Sequence, residues 1–240
     1  MSASPEFVLF GRSHVLSLVI IASISIWLLP ISRRIVRAGW STPVARMLAL
    51  LIIIELTVKT MGHAAYGAPW NKLLPLQICD VNAVLCALML VKRSYGMYQV
   101  AYFWAMAASI AAMLTPDLRY DFPHPIFVFF FAGHGLSVLG VLYATWVFGF
   151  QPRFRSLGIA LVVTASYAGF MMVMNFLLGM NYLYLRAKPS APSVLDYMGP
   201  WPWYLLGLVL LCVFACLLAY APFPMARVIR TMKAKYSTGK

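Results

Sequence analysis

Leu73-Leu74-Pro75-Leu76-Gln77-Ile78-Cys79-Asp80-Val81-Asn82 opens an apolar run that continues through Ala83-Val84-Leu85-Cys86-Ala87-Leu88-Met89-Leu90 to Val91. Within its first turns sit two amides, a thiol and a carboxylate. An ionisable side chain at the centre of a bilayer costs roughly 3 kcal/mol on insertion scales, so a lipid-bound segment carries one only when it has a partner or a task. The other apolar segments are expected to pack around this polar group, with Cys79 as its reactive atom.

The chain as a whole reads the same way. Of its 240 residues, 62% are hydrophobic and only 10% charged, against about 25% charged in an ordinary soluble domain. Seven segments approach the roughly 20 residues that span a bilayer. They are expected at about 14–29, 44–61, 73–91, 97–114, 125–148, 157–180 and 203–221, the first stopping near Pro30. The fold class is therefore an all-α polytopic bundle of seven helices in one domain, 1–240, with a basic cytoplasmic tail at 222–240.

The net charge of +13 is not spread over a nucleic-acid-binding face. Thirteen of the nineteen basic residues, and none of the six acids, fall in four connections: Arg33, Arg34, Arg37 and Arg46; Lys92 and Arg93; Arg153 and Arg155; Arg227, Arg230, Lys233, Lys235 and Lys240. That alternation is the positive-inside pattern. It predicts the N-terminus outside and the C-terminus inside, in the plasma (inner) membrane, and argues against a nucleic-acid partner. The basic residues following the first segment, rather than preceding it, make it a retained helix and not a cleavable signal.

The opposite connections are rich in Pro, aromatic, Asp and His residues and run through Pro69-Trp70, Thr115–Pro125 and Asn181–Pro202. Function is expected on that outer half. Counting 1.5 Å per residue from the outer ends, Cys79 lies roughly 9 Å deep and His134 roughly 14 Å. Glu55, Lys59 and His63 follow one another at spacings of four, on one face of the second helix. Asn175 stands near the outer end of the sixth. These groups share a depth and are expected to line one outward-facing cavity.

A neutral imidazole beside a thiol can take its proton and leave a nucleophilic thiolate. His134, between Gly133 and Gly135, is the candidate base for Cys79. Gln77, Asn82 and Asn175 are candidate oxyanion donors, and Asp80 is a candidate orienting group or a partner for Lys59. Asp117, His124, Asn181 and Tyr182 complete the polar pocket, and Arg186 and Lys188 are placed to hold a lipid phosphate. Taken singly, each has a plainer reading: Cys86, Cys212 and Cys216 as small filler, Glu55 and Lys59 as an i,i+4 pair, Asn175 as a helix bridge. No Cys/His spacing matches a zinc site, and neither a metal nor a cofactor is expected.

The stretches LPLQICD (Leu74–Asp80), AYFW (Ala101–Trp104), LTPDLRYDFPHP (Leu114–Pro125), FFFAGHG (Phe129–Gly135), NFLLGMNYLYLRAKP (Asn175–Pro189) and LDYMGPWPWYLL (Leu195–Leu206) resemble those of the YwaF-like bacterial integral membrane proteins. More distantly they are similar to the animal transmembrane acyltransferase acting on ether phospholipids. The resemblance implies cysteine-dependent acyl transfer between phospholipid and lysophospholipid, with Cys79 as nucleophile and His134 as base. Many relatives read LPLHLCD where this chain has Gln77, which cannot take up a proton.

Other functions remain open on the residues alone. Glu55, Lys59, Asp80 and His134 would also suit a proton or ion relay in a transporter or channel. A cluster that only fixes helix packing is a third possibility. A retinal-type protein is excluded by the absence of lysine from Trp203 to Ala221.

Overall fold

The computed structural model describes residues 5–189, 193–226 and 229. The tail residues Arg227, Arg230, Lys233, Lys235 and Lys240 lie outside the described residues. The chain folds as α1 (Arg12–Arg37), α2 (Ser41–Ala65), the short α3 (Trp70–Leu73), α4 (Ile78–Lys92), α5 (Tyr95–Phe103), α6 (Ile110–Leu114), α7 (Pro125–Trp146), α8 (Phe154–Leu178) and α9 (Trp203–Tyr220). A π-helical turn, Trp104–Ser109, joins α5 to α6 without a break. Among the described residues the nearest approach to a sheet is an isolated bridge between Glu6 and Tyr120.

Among the described residues, six helical stretches are long and apolar enough to cross a membrane: Arg12–Arg37, Trp70–Lys92, Tyr95–Leu114, Pro125–Trp146, Phe154–Leu178 and Trp203–Ala226. The 25-residue α2, bearing Arg46, Glu55, Lys59 and His63, is not among them. Burial divides the bundle. In the most apolar 18 residues of Tyr95–Leu114, 56% are buried, against 6% in those of Arg12–Arg37 and 11% in those of Trp203–Ala226. The outer helices therefore turn apolar side chains such as Ile26, Trp27, Phe176 and Phe214 outward, as helices in a lipid solvent do.

The core is a three-helix seam of α2, α4 and α7. Small residues let the backbones approach: Ala45 and Ala49 on α2, Ala83, Cys86 and Ala87 on α4, Gly135, Ser137, Gly140 and Ala144 on α7, all buried. Close approach replaces the hydrophobic drive that lipid surroundings remove. At Gly140 an added Cβ would already touch Ile52, Leu90 and Cys86 at 3.5–3.8 Å.

Two expectations from the sequence need correction. Pro30 does not end the first helix; it lies inside α1, which continues to Arg37. A proline inside a helix forfeits one backbone bond, whereas ending the helix among apolar groups would leave several backbone groups without partners. Ser32 Oγ adds a bond to the Leu29 carbonyl at 2.7 Å just beyond it. The third segment is not one helix from Leu73. It breaks over Leu74–Gln77, where Leu74 (ψ 127°) and Gln77 (ψ 139°) are extended, and restarts at Ile78. Pro75 explains the break: it disfavours helical backbone at the residue before it and supplies no N–H.

Candidate active site

The break puts Cys79 in the first turn of α4 instead of the middle of a longer helix. Non-helical backbone at membrane depth is tolerated only where protein or a cavity lines it, and here three tyrosine and asparagine side chains do so. Tyr167 on α8 donates its hydroxyl to the Leu76 carbonyl at 2.6 Å, Tyr182 donates to the Asn71 carbonyl at 2.6 Å, and Asn71 Nδ2 donates to the Leu178 carbonyl at 3.1 Å. Tyr167 is itself packed on Trp104, with ring centres 5.7 Å apart, and Trp104 Nε1 donates to Thr164 Oγ1 at 2.7 Å. The π turn thus braces the residue that braces the break. Single-turn π segments recur at functional sites.

Cys79 Sγ lies 3.1 Å from His134 Nε2. The other ring nitrogen, Nδ1, is 2.6 Å from the Phe130 carbonyl. A carbonyl oxygen can only accept, so Nδ1 carries the hydrogen and Nε2 presents its lone pair to the thiol. The imidazole also lies against Phe130, with ring centres 4.3 Å apart. Both Cys79 and His134 are half-buried, while Gln77 and Pro75 beside them are exposed. The N–H groups of Ile78 and Cys79 have no acceptor among the described residues, as befits the first turn of a helix.

Next to Cys79, Asp80 is paired with Lys59 of α2, the one ion pair among the described residues. The pairing neutralises both charges and pins α2 to the start of α4. One turn further in, Glu55 sits against the backbone of α7 at Gly133. A Cβ there would lie 2.7 Å from Glu55 Oε2, so any larger residue would make the carboxyl group shift. Glu55 Oε1 is buried without a hydrogen-bond partner. Asn82 is also buried in this seam, its Oδ1 3.9 Å from Cys86 Sγ and its Nδ2 unpartnered.

Other expected site residues have structural duties. Asn175 is fully buried; its Nδ2 donates to the Tyr182 carbonyl at 3.0 Å and its Oδ1 accepts from Tyr182 N–H at 2.7 Å, so both ends are committed. Asn181 Oδ1 accepts from the N–H groups of Arg186 and Ala187, and its Nδ2 donates to the Ala187 carbonyl. His124 caps α7, accepting from Ile126 N–H at 3.2 Å, and is stacked on Tyr120. Arg186 donates to the carbonyls of Asn175 and Met180 at the end of α8, and Lys188 lies over the Tyr204 ring and reaches the Asp196 carbonyl. Both expected headgroup cations are thus engaged by the protein.

The sequence reading passed over Tyr184. Its hydroxyl donates to Asp117 Oδ2 at 3.1 Å, and its carbonyl accepts from Tyr204 at 2.5 Å. Burial raises its phenol above the ordinary tyrosine range, assisted by Asp117 and, more weakly, by charge on Cys79. Burial likewise raises Tyr182, with Asp80 adding to it. The connection after α8 therefore shares an electrostatic neighbourhood with the thiol and its flanking carboxylate.

No group of three or more His, Cys, Asp or Glu side chains among the described residues is arranged to hold a metal ion. A depression of about 560 Å³ lies at the other end of the bundle and is lined by Tyr95, Gly149, Phe150, Gln151 and Arg153. It does not include the thiol or the imidazole.

An all-helical, multi-pass membrane protein with a thiol–imidazole contact at a helix break is the class that fold and site define. The profile of the TMEM164 family, a transmembrane family, matches residues 9–220, and the chain belongs to that family. No curated protein and no solved structure matches it.

Proposed function

We propose that the protein is a membrane-embedded acyltransferase that moves a fatty acyl chain between phospholipid and lysophospholipid, or another lipid alcohol, through a thioester on Cys79. The observation that carries this reading is the 3.1 Å contact from Cys79 Sγ to an imidazole nitrogen whose partner nitrogen is tied to the Phe130 carbonyl. The implied acyl chemistry comes from the resemblance of the flanking motifs to the cysteine acyltransferase.

His134 Nε2 takes the thiol proton as Sγ attacks the ester carbonyl of the donor lipid. The tetrahedral oxyanion is met by the free N–H groups of Ile78 and Cys79, with the positive end of the α4 dipole behind them. The exposed Gln77, two residues before Cys79, is a further donor, whereas Asn175 is spent on Tyr182. The C–O bond breaks, and the lysolipid oxygen leaves with the proton from His134. In the second half, His134 accepts the proton of the incoming hydroxyl, its oxygen attacks the thioester, the C–S bond breaks and Cys79 recovers the proton.

The topology belongs to the same proposal. α2 is the seventh traverse, its charges masked within the α2–α4–α7 seam. The basic connections lie inside, the N-terminus outside, and the exposed Gln77 at the start of α4 faces the outer leaflet of the plasma membrane. Phospholipid enters sideways from that leaflet. The competing relay reading is weakened by the Lys59–Asp80 pair, which neutralises two of its four members.

The test supplies purified protein in detergent or vesicles with a labelled phospholipid and an unlabelled lysolipid. A mass increment on Cys79 and labelled diacyl product are expected, and both are lost in Cys79→Ala. Undiminished acyl transfer by Cys79→Ala would overturn the mechanism.

A further inference from the structure

At the end of the bundle away from Cys79, two concave surfaces adjoin along the chain at Arg153-Phe154-Arg155. One is the depression of about 560 Å³ that Tyr95 and Arg153 help to line. Its walls are fixed. The Tyr95 hydroxyl donates to the Gln151 carbonyl at 2.9 Å, the Phe150 ring meets Tyr95 edge-on with centres 5.5 Å apart, and the Arg153 guanidinium lies 5.9 Å over the Tyr95 ring. The other is a groove of about 410 Å³ on α8, lined by Phe154, Arg155, Gly158, Ile159, Val162 and Val163. Counted from Arg155, the last four stand at spacings of three, four, seven and eight, one face of a helix. Gly158 is the notch in that face, with no protein atom within 4 Å of where a Cβ would stand. Phe154 and Val162 are 71% and 66% exposed, so the groove opens to the bilayer. The cations here have no acid to answer them. The six acids are Glu6, Glu55, Asp80, Asp117, Asp121 and Asp196, and none falls within 81–116 or 122–195. Arg153 and Arg155 are exposed, and neither is ion-paired among the described residues.

We propose that this face holds one anionic phospholipid from the leaflet on the basic side, with its phosphate at Arg153 and Arg155 and an acyl chain along the α8 groove. Guanidinium groups present forked N–H donors that match phosphate oxygens. A zwitterionic headgroup would bring an ammonium that finds no carboxylate at this end, so a lipid of net negative charge is preferred. Basic pockets of this kind on the cytoplasmic side of membrane helices take anionic headgroups, and with the topology proposed above the leaflet is the inner one. The notch at Gly158 gives the chain a seat below the phosphate that a flat helix face lacks. Such binding requires no chemistry at Cys79.

The test places the full-length protein in nanodiscs of equal phosphatidylglycerol and phosphatidylcholine and counts the lipids it retains by native mass spectrometry. One phosphatidylglycerol is expected to stay bound in preference to phosphatidylcholine. Arg153→Gln with Arg155→Gln should weaken that retention about twentyfold, at about fivefold for each charge near the membrane surface. Arg33→Gln with Arg34→Gln, an exposed pair on another basic connection, should leave it at the parental level. Gly158→Leu changes no charge but fills the notch, and should lower retention severalfold. All of these positions are exposed, so thermal unfolding should report an intact fold. No preference for phosphatidylglycerol, equal losses in the two arginine pairs, or parental retention in Gly158→Leu would overturn the proposal, the last two by reducing the site to diffuse surface attraction.

Discussion

Cys79 and Cys86 stand about two turns apart on the side of α4 that meets α7, and the two places differ in everything except the thiol. At the outer end Sγ of Cys79 meets an imidazole nitrogen at 3.1 Å, half-buried, beside unpaired backbone N–H groups. Deeper in, Sγ of Cys86 is fully buried and its nearest polar partners are Asn82 Oδ1 and the Ser137 carbonyl, each at 3.9 Å. A carbonyl can receive a weak S–H bond but cannot take the proton away. Reactivity in this seam is therefore decided by the acceptor that α7 offers at each level and by whether a lipid can reach it.

The histidines teach the same lesson. His14 is wholly buried, yet its Nδ1 accepts from Phe10 N–H at 2.9 Å and its Nε2 donates to the Met113 carbonyl at 2.8 Å. Both nitrogens are spent on backbone, so the ring ties α1 to α6. His134 spends one nitrogen on backbone and keeps the other for the thiol. Counting partners separates a structural imidazole from a candidate base where burial does not.

The largest effect is expected from removing the feature that distinguishes the two levels. His134→Ala should slow acylation of Cys79 by about 10²–10⁴, the range for a positioned general base, with thermal stability nearly unchanged. Measured by single-turnover labelling, a rate within a few-fold of the parent would erase the difference between Cys79 and Cys86.

A smaller and more diagnostic effect is expected from Gly133→Ala. The new methyl would lie 2.7 Å from the Glu55 carboxylate and must push α2 and α7 apart or force Glu55 aside. Overpacking of this kind costs about 1–3 kcal/mol. It should also lower acylation by about tenfold or more, because displacing the imidazole by a fraction of an ångström spoils its aim. A double variant, Gly133→Ala with Glu55→Ala, should recover part of both losses, which thermal unfolding and labelling would read together. No recovery would mean that the Glu55 notch is unrelated to the position of His134.

Much of this geometry was legible in the chain, for reasons that can be named. The apolar runs located the helical segments because a span needs a minimum length, but they missed the continuation of α1 from Pro30 to Arg37 and the break before Ile78. Cys79 and His134 stood out because polar groups in such runs are costly. What the sequence did not reveal depends on contacts distant along the chain. Arg186 looked available for a phosphate, but it donates instead to the carbonyls of Asn175 and Met180 around the end of α8. Tyr167 and Trp104 read as ordinary aromatic residues of apolar helices; only the break at Leu74–Gln77 gives Tyr167 a carbonyl to hold. Pro30 and Pro75 are alike on paper. One lies inside an uninterrupted helix, while the other ends a helix whose exposed backbone the tyrosines then satisfy.

The smallest effect is expected at Cys86. Cys86→Ala removes one buried sulfur from a level where Gly140, Ile52 and Leu90 already close the seam. The loss of packing is about 1 kcal/mol, and Asn82 loses a weak S–H donor at 3.9 Å. Acylation of Cys79 should proceed within about twofold of the parental rate. Alkylation should distinguish the thiols as well: a membrane-permeant maleimide is expected to modify Cys79 and leave Cys86 untouched until the protein is unfolded, as mass spectrometry of the α4 peptide would report. If Cys86 instead reacted in the folded protein, or if Cys86→Ala abolished transfer, the deeper level would be open to substrate and the acceptor on α7 would no longer explain which thiol works.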